Sequence, residues 1–424
     1  MARAGLAAAA CAALVGSAAC GSPRAPEQPK AFTLTTRSEA ARQGLAELQR
    51  NIEELESGPA NLRLARSIVA ADPDFALGAY YLSAVTFPPD ARLLRKAQEL
   101  AGDASEGERR FIEAMVLARG PRPADAIEPL SRLGRDYPGQ RVVQMVLGQL
   151  LTGEGRLEEA RACYRAAEAL DASTPRVQVL LAGLLVLKGE YAAARAAYSR
   201  VLGLMPPGSA PGPVRYGIAA THLYEQEPDA AIDSLRTYLD EYRKAGEPFG
   251  IPEVFIWNSI ARIELERGRP AEALRAYESG YRSVAGSGLD ETEQRVWLGR
   301  LHHARGRVLA RMGRFREAWR EAATVRRMID EAGPKGAEYE PSYHYLAGYI
   351  ALAAGEARAA IEQLQQADPE DPFQKLLLAR AYDAAGEVQQ ARRAYQDVVA
   401  SSWPGLERAL AYPEARSRLA ALGR

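Results

Sequence analysis

Histidine and cysteine are scarce in this chain, with four of the first and three of the second among 424 residues. Cys11 and Cys20 fall within the first twenty positions, so the remainder holds only Cys163 and can form no internal disulfide. Cys163 is expected as a small buried residue of a helix. The histidines are His222, His302, His303 and His344. No C-x-x-C or H-E-x-x-H accompanies them, and His302 and His303 point about 100° apart on a helix, so they are expected as partly exposed residues rather than a metal site. A phosphate-cradling G-x-x-x-x-G-K-[ST] and a G-x-S-x-G nucleophile elbow are also missing. Neither sign of charge is in excess, since 54 basic residues balance 54 acidic ones and only six of the basic residues are lysine. No global field therefore favours nucleic acid. Paired carboxylates such as Glu53 and Glu54, or Glu370 and Asp371, read as solvated. No alternating β-branched run is bounded by hairpin turns, so no sheet is expected. These absences exclude the common catalytic classes and leave binding. No cofactor, metal, small-molecule substrate or nucleic acid is expected.

Repetition is what the chain has in abundance. Residues 141–174 contain Gly148, Gly155, Ala160, Tyr164, Ala167 and Asp171; a shift of 34 carries the middle members onto Gly189, Ala194 and Tyr198, closing at Pro206. A shift of 34 in the other direction reaches Ala126 and Pro138. A small residue lets two helices approach closely, an aromatic fills the space beside it, and glycine permits the tight turn between them. Further units carry Trp257, Gly268, Ala273 and Tyr277; then Gly306, Gly313, Phe315 and Ala318; then Gly348, Gly355, Ala360 and Ala367; then Tyr382, Gly386, Ala391 and Tyr395. From about residue 38 to 400 these positions resemble the tetratricopeptide repeat family. That resemblance implies an all-α, right-handed solenoid of about nine stacked helix-turn-helix units over residues 37–424. Units spanning 38–72 and 74–102 are degenerate, as terminal caps are allowed to be, and a polar-faced helix closes the other end. Spacings above 40 near Ala231, Ala273, Ala318 and Ala360 are expected to lengthen helix ends and loops.

Residues 1–19 have the layout of an export signal: Arg3, an uncharged stretch from Gly5 to Gly16, then Ser17, Ala18 and Ala19 before Cys20. Small residues leading into Cys20, Gly21 and Ser22 resemble the lipobox of bacterial lipoproteins, although position 17 is serine where an aliphatic residue is usual. Lipidation of Cys20 would anchor the chain at a membrane of the cell envelope, and ordinary secretory cleavage after Ala19 is the rival. Residues 20–36, with several prolines and no hydrophobic period, read as a flexible tether.

In the tetratricopeptide family the first helix of each unit lines the concave groove. Carried over to this chain, that register places Phe111, Met115, Val142, Met145, Tyr216, Phe255, Tyr345, Tyr349 and Phe373 on the inner wall. The Lys and Asn arrangement by which chaperone-binding members clamp a terminal carboxylate is missing, because Met145 and Gln149, or Val179 and Gly183, stand there. Arg300, Arg307 and Arg311 recur at seven and four residues and share one helical face. With Tyr345 and Tyr349 beside them they form a candidate site for an acidic protein or peptide partner; a solvated face partly neutralised by Glu264 and Glu266 is the alternative. The expected function is a non-catalytic scaffold or adaptor at the cell envelope. A cytoplasmic regulatory module, and a non-catalytic subunit of an envelope assembly or uptake system, stay open.

Overall fold

The computed structural model describes residues 29–56, 59–86, 90–206, 209, 211–245, 253–286, 289–402 and 404–422. Cys20 and the expected signal segment lie outside the described residues. Those described form 21 α-helices and no strand. Ten successive hairpins and a closing helix make up the α-solenoid, one hairpin more than the spacing suggested. The helices are α1 Glu39–Glu53, α2 Pro59–Ala71, α3 Ala76–Val85, α4 Ala91–Leu100, α5 Glu106–Ala118, α6 Ile127–Asp136, α7 Arg141–Gly153, α8 Leu157–Leu170, α9 Pro175–Leu187 and α10 Tyr191–Leu204. They continue as α11 Gly212–Tyr224, α12 Pro228–Lys244, α13 Glu253–Glu266, α14 Pro270–Val284, α15 Glu291–Arg311, α16 Phe315–Glu331, α17 Glu340–Ala353, α18 Ala357–Leu364, α19 Pro372–Ala384, α20 Val388–Ala400 and α21 Leu406–Leu422.

One contact explains the repeat. Ala126, Ala160, Ala194, Ala231, Ala273, Ala318, Ala360 and Ala391 are all completely buried. Opposite Ala160 the first helix presents a glycine, and a Cβ on Gly148 would lie 2.3 Å from the Tyr164 ring; between hairpins, one on Gly217 of α11 would lie 2.4 Å from Tyr198 of α10. Each ring therefore packs where a side chain is missing, so neighbouring hairpins close up at Tyr198 and the two helices of one hairpin at Tyr164. The turn between them ends in a left-handed residue with φ between 70° and 82° at Gly155, Gly189, Gly268, Gly313, Gly355 and Gly386. Leu55 and Gln226 hold the same place in the first and sixth hairpins at φ 63° and 62°, conformations that cost a side-chain-bearing residue energy. The extra spacing in the middle of the chain goes into helix length, and α15 reaches 21 residues.

Residues 29–38, placed largely in the tether by sequence, lie extended on the third hairpin. Phe32 packs 5.9 Å from Phe111 and 5.1 Å from Tyr137, ring centre to ring centre. The Thr35 N–H donates to the buried Glu108 carboxylate, which also caps α5. A Cβ at Gly107 would meet Phe32 at 2.5 Å, so glycine is what lets this strap lie flat on the helix.

Candidate functional site

The first helices of the hairpins face the inside of the array, and in the C-terminal half they meet across it. Glu266 on α13 accepts from the Tyr349 hydroxyl on α17 at 3.2 Å and lies 3.9 Å from Arg380 on α19. Arg262, one turn earlier on α13, stacks its guanidinium 4.5 Å from the centre of the fully buried Phe373 ring on α19. Helix α21 then settles against α20, α11, α19 and α13. Its Glu407 accepts from Arg262 at 3.1 Å, and its Glu414 accepts from Arg380 at 2.7 Å. Arg408 is only 4% exposed, donates to the Tyr224 hydroxyl at 3.0 Å and lies 4.2 Å from the Tyr412 ring. Tyr224 in turn stacks on Tyr191 at 4.9 Å. Just before α21, Ser402 donates to the carbonyl of Gly153, 249 residues away.

The candidate arginines do not act as one face. Arg307 is 7% exposed and donates to the hydroxyls of Tyr345 and Tyr277, each at 3.0 Å; among the described residues no carboxylate pairs with it and its Nε finds no hydrogen-bond partner. Arg300 is exposed and lies over Trp297 at 4.5 Å and Phe255 at 5.6 Å. Arg311 is exposed at the end of α15. Arg307, Tyr345 and Tyr349 are thus brought together, with Tyr277 added, while Arg300 and Arg311 lie apart from that contact. Glu264 and Glu266, expected to neutralise the three arginines, have other partners: Glu264 pairs with Arg267, and Glu266 with Tyr349 and Arg380.

Among the apolar inner-wall candidates, Phe111, Met115, Met145 and Phe373 are buried in the core. Tyr216, Phe255 and Val142 are half-buried, Tyr216 against Tyr238 at 5.7 Å and Phe255 edge-on to Trp297 at 4.7 Å. The two adjacent histidines are unlike one another. His302 bonds Glu321 at 2.6 Å, whereas His303 is 7% exposed and bonds the Ser342 carbonyl at 3.1 Å, which corrects the expectation that both would be partly exposed. Burial first, and then the charge of Arg307, push the His303 imidazole well below its usual range. Burial likewise pushes the Tyr345 and Tyr349 phenols up, with Glu266 adding to the effect at Tyr349, so both remain neutral hydroxyls.

Arg262, Arg380, Glu407 and Glu414 were not legible as a set. Each lies on a different repeat or on the closing helix, and only the winding of the array brings them within reach. The seven-residue spacing of Glu407 and Glu414, which puts both on one helical face, was the available signal. Chemically, this inner surface is a row of guanidinium groups between aromatic rings. Planar forks of that kind hold carboxylates in a fixed orientation.

A family model described as the tetratricopeptide repeat matches residues 145–210. No curated protein matches the chain in sequence. Among solved structures it is similar to a tetratricopeptide repeat protein from Parabacteroides merdae, 18% identical over 65% of this chain and 98% of that one, with a TM-score of 0.44. It is also similar to a Rap protein complexed with competence and sporulation factor, 13% identical over 91% of this chain and 98% of that one, with a TM-score of 0.48. The yeast Tom70 is 10% identical over 91% of this chain and 88% of that one, with a TM-score of 0.43.

Proposed function

We propose that this α-solenoid, whose residues 145–210 match the tetratricopeptide-repeat model, is a non-catalytic scaffold or adaptor holding a protein or peptide partner on its inner surface, at a bacterial cell envelope. One observation carries the binding part of this reading. The inner surface already binds a helix, α21, by giving Arg262 and Arg380 to its two carboxylates. Recognition of a partner helix uses the same physics: small side chains let it lie close, and paired charges fix its register. The envelope location rests on residues 1–22, where small residues lead into Cys20. One acyl chain gives only reversible attachment, so a stable anchor would need the several chains of a bacterial lipoprotein.

Fractionation combined with affinity capture tests both parts. The intact protein is expected in the membrane fraction with a lipid-modified Cys20, and Cys20→Ser is expected to move it to the soluble fraction. Cross-linked capture from the native envelope is expected to retain a partner that the Arg262→Glu, Arg380→Glu double variant loses. A soluble, unmodified protein would remove the anchor, and equal capture by the double variant would remove the inner surface as the binding site.

A further inference from the structure

The helix on the inner surface is weakly built for a permanent cap. Its fully buried apolar side chains are Leu406, Ala409, Ala411 and Ala415, one large residue and three small ones, and Leu410, Tyr412, Leu419 and Leu422 are only partly buried against the core. Pro413 lies inside the helix, where it removes the N–H that would bond the Ala409 carbonyl and crowds that turn. Arg408 is carried into the contact with no carboxylate among the described residues opposite it, and its Nε finds no described partner. Burying a charge on those terms opposes docking. The pairs that favour docking are Arg262 with Glu407, Arg380 with Glu414 and Arg418 with Asp383; the first two leave each carboxylate side chain 37% exposed and within reach of solvent and salt.

The surface underneath keeps contacts of its own without α21. Without Glu414, Arg380 still has Glu266 at 3.9 Å. Without Glu407, Arg262 keeps its stacking on Phe373. The two guanidinium groups stay presented, on α13 and α19, at a separation set by packed helices and matched to carboxylates seven residues apart. On a helix that spacing is roughly 10 Å along the axis.

We infer that α21 is an exchangeable occupant, and that the partner it stands in for is an amphipathic helix bearing two carboxylates seven residues apart with small residues between them. Arg262 and Arg380 take those carboxylates as they take Glu407 and Glu414, and Tyr224 takes the ring position of Tyr412. This rests on the scaffold function above and names the chemistry of its partner. Release of α21 turns on the short non-helical link that contains Pro404 and Gly405. Binding is then a competition between a tethered helix and a free one, so the tether sets the threshold a partner must exceed.

The probe is a fluorescent peptide of residues 404–422 of this chain, titrated into the full-length protein. The native protein is expected to bind it weakly, and the Glu407→Lys, Glu414→Lys protein at least tenfold more tightly, because its own helix no longer competes. A peptide carrying the same two lysines is expected not to bind either protein. Hydrogen exchange on the unaltered chain gives an independent reading: amides of α21 are expected to exchange at least tenfold faster than those of α19 and α20. Protection of α21 equal to that of α19 and α20, or failure of the folded double variant to gain peptide affinity, would make α21 a fixed cap and overturn the proposal. Peptide exchange without capture of an envelope partner would instead leave the proposal standing and count against the scaffold reading.

Discussion

Adding one methyl group at two positions of α7 separates the packing of the repeat from the intrinsic preference of the helix. At Gly148 a Cβ would lie 2.3, 2.7 and 3.0 Å from three carbons of the Tyr164 ring. That ring cannot move aside, being 1% exposed with its hydroxyl 3.1 Å from Thr152 Oγ1. At Gly153, five residues further along the same helix, a Cβ meets nothing within 4 Å. Both substitutions to alanine gain up to about 1 kcal/mol of helix propensity, less at the helix end. Gly148→Ala alone then incurs an overpacking cost of about 1–3 kcal/mol. Gly153→Ala is expected to be neutral or slightly stabilising, and Gly148→Ala less stable than it by about 1–3 kcal/mol. Urea denaturation followed by circular dichroism measures the difference, and hydrogen exchange in α7 and α8 localises it, because an array stabilised by neighbour contacts can lose structure piecemeal. Equal midpoints for the two variants would mean that the glycine–tyrosine contact does not set the repeat.

Gln226→Gly should stabilise the sixth hairpin by up to about 1 kcal/mol, since the exposed Gln226 holds φ at 62° where six other hairpins have glycine; an unchanged or lower midpoint would refute the strain. His303 should make the protein less stable in acid. Its folded pKa lies below the unfolded value, so below about pH 6.5 the unfolded chain binds the extra proton and stability falls by up to about 1.4 kcal/mol per pH unit until the folded pKa is reached. His303→Gln should remove that part of the slope, and an identical pH profile for both proteins would count against a neutral buried imidazole. Arg307→Met gives up two hydrogen bonds from a charged donor, about 1.5–3 kcal/mol each, and regains the several kcal/mol spent on burying an unpaired guanidinium. It should fall within about 2 kcal/mol of the native protein, with Arg307→Ala about 2–4 kcal/mol lower because of the cavity it leaves. Equal losses for both would mean that the charge of Arg307 is compensated.

The hairpins were legible because their determinants are local. Ala160, Tyr164 and Gly155 sit within ten residues of one another, and the same trio recurs at Gly189, Ala194 and Tyr198, at Gly268, Ala273 and Tyr277, and at Gly386, Ala391 and Tyr395. The inner surface was only half legible. A helical register put Tyr345, Tyr349 and Arg307 near one another, but the same periodicity serves core and groove, so these three, like Phe111, Met145 and Phe373, were assigned to a wall and are buried. Arg307 read as a groove charge because nothing in the local sequence shows that Tyr277, thirty residues earlier, closes over it. Pairings such as Tyr349 with Glu266, or Arg408 with Tyr224, span 83 and 184 residues and depend on the summed rotation of several hairpins. Small per-unit angles accumulate over such distances, and no single segment encodes them.

The most direct test is a photo-crosslink from the inner surface. Tyr191 stacks on Tyr224 on the side that α21 covers, and replacing it with p-benzoylphenylalanine adds a reactive group to a half-buried aromatic position. In the purified protein the crosslink should map to residues 406–422 of the same chain. In the native envelope it should pass in part to a second polypeptide, and crosslinking to residues 406–422 should fall correspondingly. A crosslink that stays on residues 406–422 under every condition would contradict the claim that this surface holds a partner.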